Sequence, residues 1–274
     1  PTGNMYLQQG LMSLMYDRMS HFGLDVSSLP DLHNQLAYES SITSRYATID
    51  WSSASDCVSI ELLRWLLPPK WFFILDLVRS PNITMDGDVI ELNMFSTMGN
   101  AGTFPLETLV FWTLAQSVIA ESQDTNTRFL DWKSGSCSVF GDDCIVPSES
   151  ADDFIDIMTS LGFIVNSDKT HTGADKFRES CGGDFLSGTD VSFYKLKAPT
   201  SERQSSLEPW LYIIANSIIK KYIKYFGRIN YIYDKDFLNY IVSLFIKNDI
   251  RVKIIPDFFP DDSGLKISAD FERF

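Results

Sequence analysis

The chain lacks any apolar run approaching the roughly 20 residues that a helix needs to cross a bilayer, although 45% of its 274 residues are hydrophobic. A helical membrane span is therefore not expected, and neither is a membrane partner. Cysteine is scarce, and the four present (Cys57, Cys137, Cys144 and Cys181) show no CxxC spacing. That argues against a structural zinc site and a disulfide framework, and in favour of a reducing, intracellular setting. There is no internal repeat, low-complexity tract or Gly/Ser-rich linker, so the chain reads as one continuous catalytic-type body of one large or two small domains. No basic-then-apolar leader follows Pro1, and the first residue is not Met; the expectation is a fragment of a longer protein.

Positive charge is also in short supply. Lys and Arg number 23 against 36 Asp and Glu, a net charge of −13, which taken alone argues against broad nucleic-acid binding, because phosphate contacts need cations. The deficit is local. Residues 1–194 hold 10 basic and 26 acidic side chains, residues 195–253 hold 11 and 5, and residues 254–274 hold 2 and 5. The basic stretch is either the solvated face of a helical segment or a surface for a polyanion.

What is present is a regular alternation of patterns. Residues 4–22 carry apolar positions at helical spacing up to Gly23. Tyr46 to Asp50 (YATID) reads as a short β-branched strand with Asp50 at its end, and Ser59 to Trp65 as a helix stopped by Pro68 and Pro69. An Asp-Gly turn within residues 80–95 predicts a hairpin. Pro105 to Ala120 predicts a helix with proline in its first turn. Cys137 to Phe140 and Cys144 to Val146 form a second hairpin, tightly joined by Gly141, Asp142 and Asp143. A helix follows, capped by Ser150, with Phe154, Ile157, Met158 and Leu161 as its core stripe and Gly162 at its end. The order implies an α+β fold, a sheet layered on helices. Beyond Lys197 the pattern is helical, with Trp210, Ile213, Ile214, Ser217 and Ile218 on one face and Lys220, Lys221 and Lys224 following.

Three carboxylates stand out: Asp50 at a strand terminus, and Asp142 and Asp143 in a hairpin turn. Neighbouring strands would bring them together, and like charges so placed stay ionised only if a cation neutralises them. An all-oxygen site suits Mg²⁺ or Mn²⁺, and two such ions support in-line displacement at phosphorus. Taken alone, a Gly-Asp-Asp turn is ordinary turn chemistry. In DWSSASD (Asp50 to Asp56) small polar residues separate two carboxylates and leave room for a sugar, so Asp56 is placed to sense a ribose 2′-hydroxyl or to cap the helix that follows. In STMGNAGTFPLE (Ser96 to Glu107) a Gly-rich loop opens a helix, so that its backbone N–H groups, Asn100 and Thr103 can face a nucleotide or template.

The order and spacing of these blocks resemble the replicase catalytic subunit of the positive-strand RNA bacteriophages, the levivirus group. The likeness runs through YATIDWSSASD (Tyr46 to Asp56), LLPPKWF (Leu66 to Phe72), FSTMGNAGTFPLETLVF (Phe95 to Phe111), VFGDDCIVPS (Val139 to Ser148), GFIVNSDKT (Gly162 to Thr170) and FRESCGGDFLSGTDVSFY (Phe177 to Tyr194). NMYLQQG (Asn4 to Gly10) and IPDFFPDDSGL (Ile255 to Leu265) extend it over nearly the whole chain.

The resemblance implies a right-hand polymerase: partial fingers over 1–45, a palm with motifs A to E over 46–196 carrying the 80–95 hairpin as an insertion, and a helical thumb start and tail over 197–274. It implies Asp50, Asp142 and Asp143 as ligands of two Mg²⁺ ions, with Mn²⁺ able to substitute, and Asp56 as the ribose sensor. It assigns nucleotide and template to Gly99, Asn100 and Thr103. Lys169 falls where motif D has a lysine that protonates pyrophosphate, with a plain exposed lysine as the alternative. Arg178 and Glu179 either position the primer strand or pair with each other. The substrates implied are an RNA template and product strand and ribonucleoside triphosphates, with host elongation factors Tu and Ts as further partners in the cytoplasm of an infected bacterium.

Phe140 stands where the family usually has Tyr, and Trp51 where it has Leu; both changes are expected to be tolerated. A basic fingers segment that clamps the triphosphate in the family is expected upstream of residue 1. Two alternatives share parts of this pattern. A reverse transcriptase also carries paired aspartates in a hairpin, but uses an aromatic gate where Ser55 and Asp56 stand here. An inactive RNA-binding or assembly module would act through residues 195–253.

Overall fold

The computed structural model describes residues 2–122, 137–192, 204–226 and 232–266. They fall into two compact units, Pro1–Phe193 and Tyr194–Phe274.

In the first unit, α1 (Thr2–Ser20) and α2 (Leu29–Thr43) lead into β1 (Tyr46–Ile49), β2 (Trp51–Ser52), and the helices α3 (Ala54–Cys57), α4 (Ile60–Leu66) and α5 (Pro69–Val78). The hairpin β3 (Asn82–Met85) and β4 (Asp88–Glu91) is followed by the long helix α6 (Thr103–Ser122). Then come β5 (Ser138–Phe140), β6 (Asp143–Pro147), α7 (Ala151–Ser160) and β7 (Ile164–Val165). The unit ends on a meander of β8 (Phe177–Ser180), β9 (Gly183–Leu186) and β10 (Thr189–Asp190).

The central sheet has the order β1-β6-β5, antiparallel throughout, with Tyr46 opposite Pro147, Ile49 opposite Cys144 and Phe140 opposite Asp143. Small antiparallel sheets mixed with helices make this an α+β fold. The β3–β4 hairpin turns on Asp86 and Gly87, both with positive φ (54° and 93°), the backbone that a two-residue turn matched to strand twist requires. All ten residues from Asn82 to Glu91 are exposed, so this hairpin adds nothing to the core.

Several local expectations need correcting. Pro68 and Pro69 do end α4, yet Pro69 also begins α5, a helix missed in the sequence; a missing N–H costs nothing in a first turn. Ser150 occupies the N-cap position of α7 but makes no capping bond, and its buried hydroxyl lies 3.2 Å from that of Ser122. Ile157 faces solvent, leaving Phe154 and Met158 to fill the core side of α7. Ser59, not Asp56, caps α4, its Oγ accepting the Leu62 N–H at 3.1 Å.

Trp51 sits at the centre of the first unit's core. Its indole meets Phe111 of α6, Phe154 of α7 and Phe163 edge to face, at centroid distances of 6.1, 5.8 and 6.3 Å, an arrangement that the aromatic quadrupole favours. One side chain thereby ties the strand after Asp50 to two helices.

The second unit contains α8 (Gln204–Phe226), α9 (Ile232–Lys247) and the short parallel strands β11 (Ile254–Ile255) and β12 (Leu265–Lys266). Leu211, Tyr212, Ile214, Ala215 and Ile218 of α8 pack with Ile241 and Phe245 of α9. The buried stripe is thus rotated from the expected one, and Ile213 is exposed. Buried Asn216 donates to the carbonyls of Asp261 (2.9 Å) and Gly264 (2.7 Å) and accepts from the Lys266 N–H (2.7 Å), fastening the 255–265 segment to α8. Lys220 is exposed, whereas the side chains of Lys221 and Lys224 and the expected 196/197 boundary lie outside the described residues. Among the described residues no helix is long and apolar enough to cross a membrane.

Replacing Trp51 with Ala should cost about 3–5 kcal/mol, as for large buried aromatics generally, measured by denaturant unfolding followed by circular dichroism. A loss below about 1 kcal/mol would remove this residue from its central place in the core.

Candidate active site

Pairing of Ile49 with Cys144 sets the end of β1 beside the start of β6, so Asp50, Asp142 and Asp143 come to one edge of the sheet. Asp143 is the first residue of β6 rather than a turn residue, and Gly141 and Asp142 alone make the connection. Gly141 has φ +62°, and a Cβ there would lie 2.5 Å from the Phe104 ring; only glycine fits. Its N–H donates to Thr108 Oγ1 at 2.9 Å, and Phe104 meets Phe140 at 4.7 Å. The hairpin is therefore pinned to α6 by one hydrogen bond and one ring contact. Beneath it, buried His33 of α2 lies 2.8 Å from Ser180 Oγ and edge-on to Phe140. Burial pushes its pKa down to about 3, which keeps the ring neutral.

On the other edge of β1, residues 166–171 run alongside. Thr48 and His171 exchange backbone hydrogen bonds of 3.0 and 2.8 Å, and the Asn166 N–H donates to Asp50 O at 2.9 Å. The Asn166 amide also donates to Asp50 Oδ2 at 2.7 Å, and Lys169 Nζ stands 4.0 Å from both Asp50 Oδ1 and Glu179 Oε1. Lys169 is thus the cation at the carboxylate edge, half-exposed and reaching over it. Asp143 Oδ2 accepts the Cys181 N–H at 3.2 Å, from the tip of the β8–β9 hairpin.

Crowding shows in the acidities. Burial first, then Asp142, pushes Asp143 up to about 6. Asp142 is raised by burial and by Asp50, partly offset by its backbone hydrogen bond and by Lys169. Among the described residues no three His, Cys, Asp or Glu side chains stand close enough to enclose a metal ion as they are. The donors fit a hard divalent cation in kind, being carboxylate oxygens at one sheet edge, while Asp50 and Asp143 presently take their hydrogen bonds from Asn166 and the Cys181 backbone.

The remaining expected residues divide. Asp56 is exposed on α3, which follows Ser53 in the left-handed region (φ 50°), a conformation that non-glycine residues seldom hold without a local reason. Gly99 has φ +99° in an exposed stretch of the Ser96–Gly102 loop. Asn100 and Thr103 are engaged inside that loop: Asn100 Oδ1 accepts the Gly102 N–H at 2.9 Å, and Thr103 Oγ1 donates to Thr97 O at 2.9 Å. They shape the loop's backbone, as do the Asn100 N–H bond to Thr97 O (3.1 Å) and the Thr103 N–H bond to Asn100 O (3.2 Å).

Arg178 requires a correction. It is fully buried, and its guanidinium donates to the carbonyls of Tyr46 (2.8 Å), Asp175 (2.6 Å), Phe177 (2.7 Å) and Gly173 (3.1 Å). With four of its five N–H donors spent on backbone carbonyls and no exposed surface, the guanidinium fastens β8 to the start of β1 and is out of reach of a primer strand. Nor does it pair with Glu179, which faces Lys169.

Three side chains at the site escaped the sequence reading: His33, Asn166 and Glu107. Glu107 lies on α6, 6% exposed, and its Oε1 has no hydrogen-bond partner. Burial, Asp142 and Asp56 together push it up to about 8. An acid within the otherwise apolar stripe of α6 was the available signal.

The raised pKa of Asp143 fixes a pH dependence. The folded chain holds this proton more tightly than the unfolded one, so its contribution to stability falls as pH rises from about 4 to about 6. Asp143→Asn should therefore melt with the native chain near pH 3.5 and be more stable by about 1–3 kcal/mol at pH 7 in EDTA. A difference that does not grow across that window would contradict the crowding.

A family model described as RNA replicase, beta-chain, matches residues 1–224. The chain is 39% identical over 196 residues to the RNA-directed RNA polymerase subunit beta of Escherichia virus Qbeta, covering 71% of this chain and 32% of that protein. It is 37% identical over 199 residues to the RNA-directed RNA polymerase beta chain of Escherichia phage MS2 (73% and 34%) and 35% identical over 202 residues to that of Enterobacteria phage fr (74% and 35%). The match thus spans about a third of the length of these relatives. With most of its length inside one family model, the chain belongs to the RNA replicase beta-chain family.

Proposed function

We propose that the chain carries the palm of an RNA-directed RNA polymerase of an RNA phage, with part of the fingers in residues 1–45 and the start of the thumb beyond residue 196. The observation that carries this reading is the meeting of Asp50, Asp142 and Asp143 at one sheet edge, with Lys169 4.0 Å from Asp50. Membership of a family whose relatives are named RNA-directed RNA polymerases supports it and favours it over a binding module or a reverse transcriptase. The setting is the cytoplasm of an infected bacterium, with RNA template, product strand and ribonucleoside triphosphates as substrates and elongation factors Tu and Ts as host partners.

The reaction is attack of an RNA 3′-hydroxyl on the α-phosphate of a ribonucleoside triphosphate: the 3′-oxygen–phosphorus bond forms, the hydroxyl proton passes to solvent water, and the bond to pyrophosphate breaks. Asp50, Asp142 and Asp143 would hold two Mg²⁺ or Mn²⁺ ions. When bound, such ions make the hydroxyl more acidic and neutralise charge on the leaving oxygen. Asn166 orients Asp50 through its 2.7 Å hydrogen bond. Lys169, tethered between Asp50 and Glu179, is placed to give a proton to departing pyrophosphate. Asp56 accepts a hydrogen bond from the ribose 2′-hydroxyl, and the Ser96–Gly102 loop lines the nucleotide's path.

Incorporation of labelled ribonucleotides on a primed RNA template, with Mg²⁺ or Mn²⁺, tests this. Asp142→Asn should lower incorporation by orders of magnitude with folding intact, and a loss of less than about tenfold (roughly 1.4 kcal/mol) would remove Asp142 from the metal site. If the native chain is silent, the same comparison is made with its natural flanking sequence joined to it; silence there as well would overturn the polymerase reading. In the active form, Asp56→Ala should reduce discrimination between ribo- and deoxyribonucleotides, and unchanged discrimination would leave Asp56 without its ribose role.

A further inference from the structure

The three carboxylates at the sheet edge are held by unequal means. Asp50 takes the Asn166 amide at 2.7 Å, and Asp143 takes the Cys181 backbone N–H at 3.2 Å. Asp142 stands in the turn between β5 and β6, and the one hydrogen bond seen to its carboxylate among the described residues comes from its own backbone. Where its oxygens stand is therefore left to the backbone of the turn, and that backbone is held from α6. The Gly141 N–H donates to Thr108 Oγ1 at 2.9 Å in a buried contact between residues 33 apart in the chain. Thr108 is fully buried, and its own hydroxyl proton is committed to Phe104 O at 2.9 Å, one helical turn back. With the proton engaged, the oxygen is left to accept, which fixes the direction of its bond to Gly141, and the branched side chain has few other rotamers to adopt. Phe104 completes the seat. Its ring meets Phe140 at 4.7 Å and fills the space that a Cβ on residue 141 would need.

Thr108 lies on the buried stripe of α6 with Leu106, Val110 and Phe111, where valine has the same shape and no hydroxyl to bury. The hydroxyl answers to Gly141. That residue stands outside the strand ladder, which ends at the Phe140–Asp143 pair, so its buried N–H depends on Thr108. We infer that Thr108 is a positioning residue for Asp142: by fixing the Gly141 peptide it sets the direction in which the next side chain leaves the turn, and so presents that carboxylate to the proposed divalent ion. A Gly141 peptide released from Thr108, with φ +62° and no Cβ, is free to rotate, and rotation there swings Asp142 away from Asp50 and Asp143. Mg²⁺ takes oxygens at about 2.0–2.1 Å in near-octahedral geometry, so even a small swing is felt as lost affinity. The inference rests on the metal role proposed for Asp142.

The test measures Mn²⁺ affinity by water-proton relaxation enhancement, and the melting temperature in EDTA, for the native chain, Thr108→Val, Thr108→Ser, Asp142→Asn and the double variant Thr108→Val with Asp142→Asn. Thr108→Val keeps the shape and loses the acceptor, and it should weaken Mn²⁺ binding by about three- to tenfold, the range of one hydrogen bond. Thr108→Ser restores the acceptor and should bind within about twofold of the native chain. On the Asp142→Asn background, Thr108→Val should weaken binding by no more than about twofold further, because a residue that acts through Asp142 has nothing left there to position. A threonine that serves stability alone would behave differently: the valine variant would melt lower with its Mn²⁺ affinity unchanged, or would lose affinity equally with and without Asp142, and either result overturns the inference. If Thr108→Val does not fold, Thr108→Ala takes its place with the same expectations. If Asp142→Asn weakens Mn²⁺ binding and Thr108→Val does not, Thr108 has no part in it and the metal role of Asp142 stands. If the native chain binds Mn²⁺ no more tightly than Asp142→Asn, that metal role falls and the inference falls with it.

Discussion

The antiparallel pairing of β1 with β6 is the constraint on which the site depends. Register in a sheet is all or nothing, since a slip of one residue turns every side chain to the other face. With Ile49 opposite Cys144, the carboxylate after one strand and the pair at the head of the other share an edge. The features around this pairing preserve it. Arg178 locks the start of β1 to β8, the 166–171 segment closes the second edge of β1, and the Thr108–Gly141 hydrogen bond holds the hairpin against α6. Trp51, one residue beyond Asp50, anchors the same point from within the core.

The cost of this arrangement is electrostatic. Partly buried carboxylates stand together with Lys169 as the cation at their edge, and loss of water first, then mutual repulsion, pushes the pKa of Asp142 and Asp143 up. A fold selected only for stability would not keep such a group, nor a buried Glu107 beside it. The donors that hold it together are neutral: the Asn166 amide to Asp50 and the Cys181 backbone N–H to Asp143. They hold the carboxylates without cancelling the charge that a divalent ion would meet.

The second unit obeys a different logic. Its core of Leu211, Tyr212, Ile214, Ile241 and Phe245 is a helix-pair interface, and Asn216 fastens the 255–265 segment by three hydrogen bonds to backbone atoms. A buried amide whose donors and acceptor are all used fixes a loop as firmly as apolar packing does. The sequence pattern beyond Lys197 reads as helical, and α8 spans residues 204–226 there, but the expected buried face is rotated, because both Ile213 and Ile214 satisfy an apolar stripe and only contact with α9 chooses between them.

Much was legible in the chain alone. Short-range chemistry fixed the hairpin at Asp86 and Gly87, the strand that leads to Asp50, the helix with Pro105 in its first turn and the Gly141 turn, since each follows from backbone preferences over a few residues. The three aspartates could be named because their spacing and flanking blocks are a matter of order along the chain. What could not be read was whatever depends on partners distant in sequence. Arg178 read as a residue that positions the primer strand or pairs with Glu179, and is an interior clamp on carbonyls up to 132 residues away; Ser150 had the residue type of a cap, but its hydroxyl turned to Ser122. His33, Asn166 and Glu107 carry no motif of their own and gain meaning only from what they are packed against. The sequence by itself determined the local elements and the identity of the acidic residues, because those are set by neighbours in the chain; tertiary structure alone decided which polar groups are exposed for chemistry and which are consumed in holding the fold, because burial and hydrogen-bond partners are properties of contact, not of order.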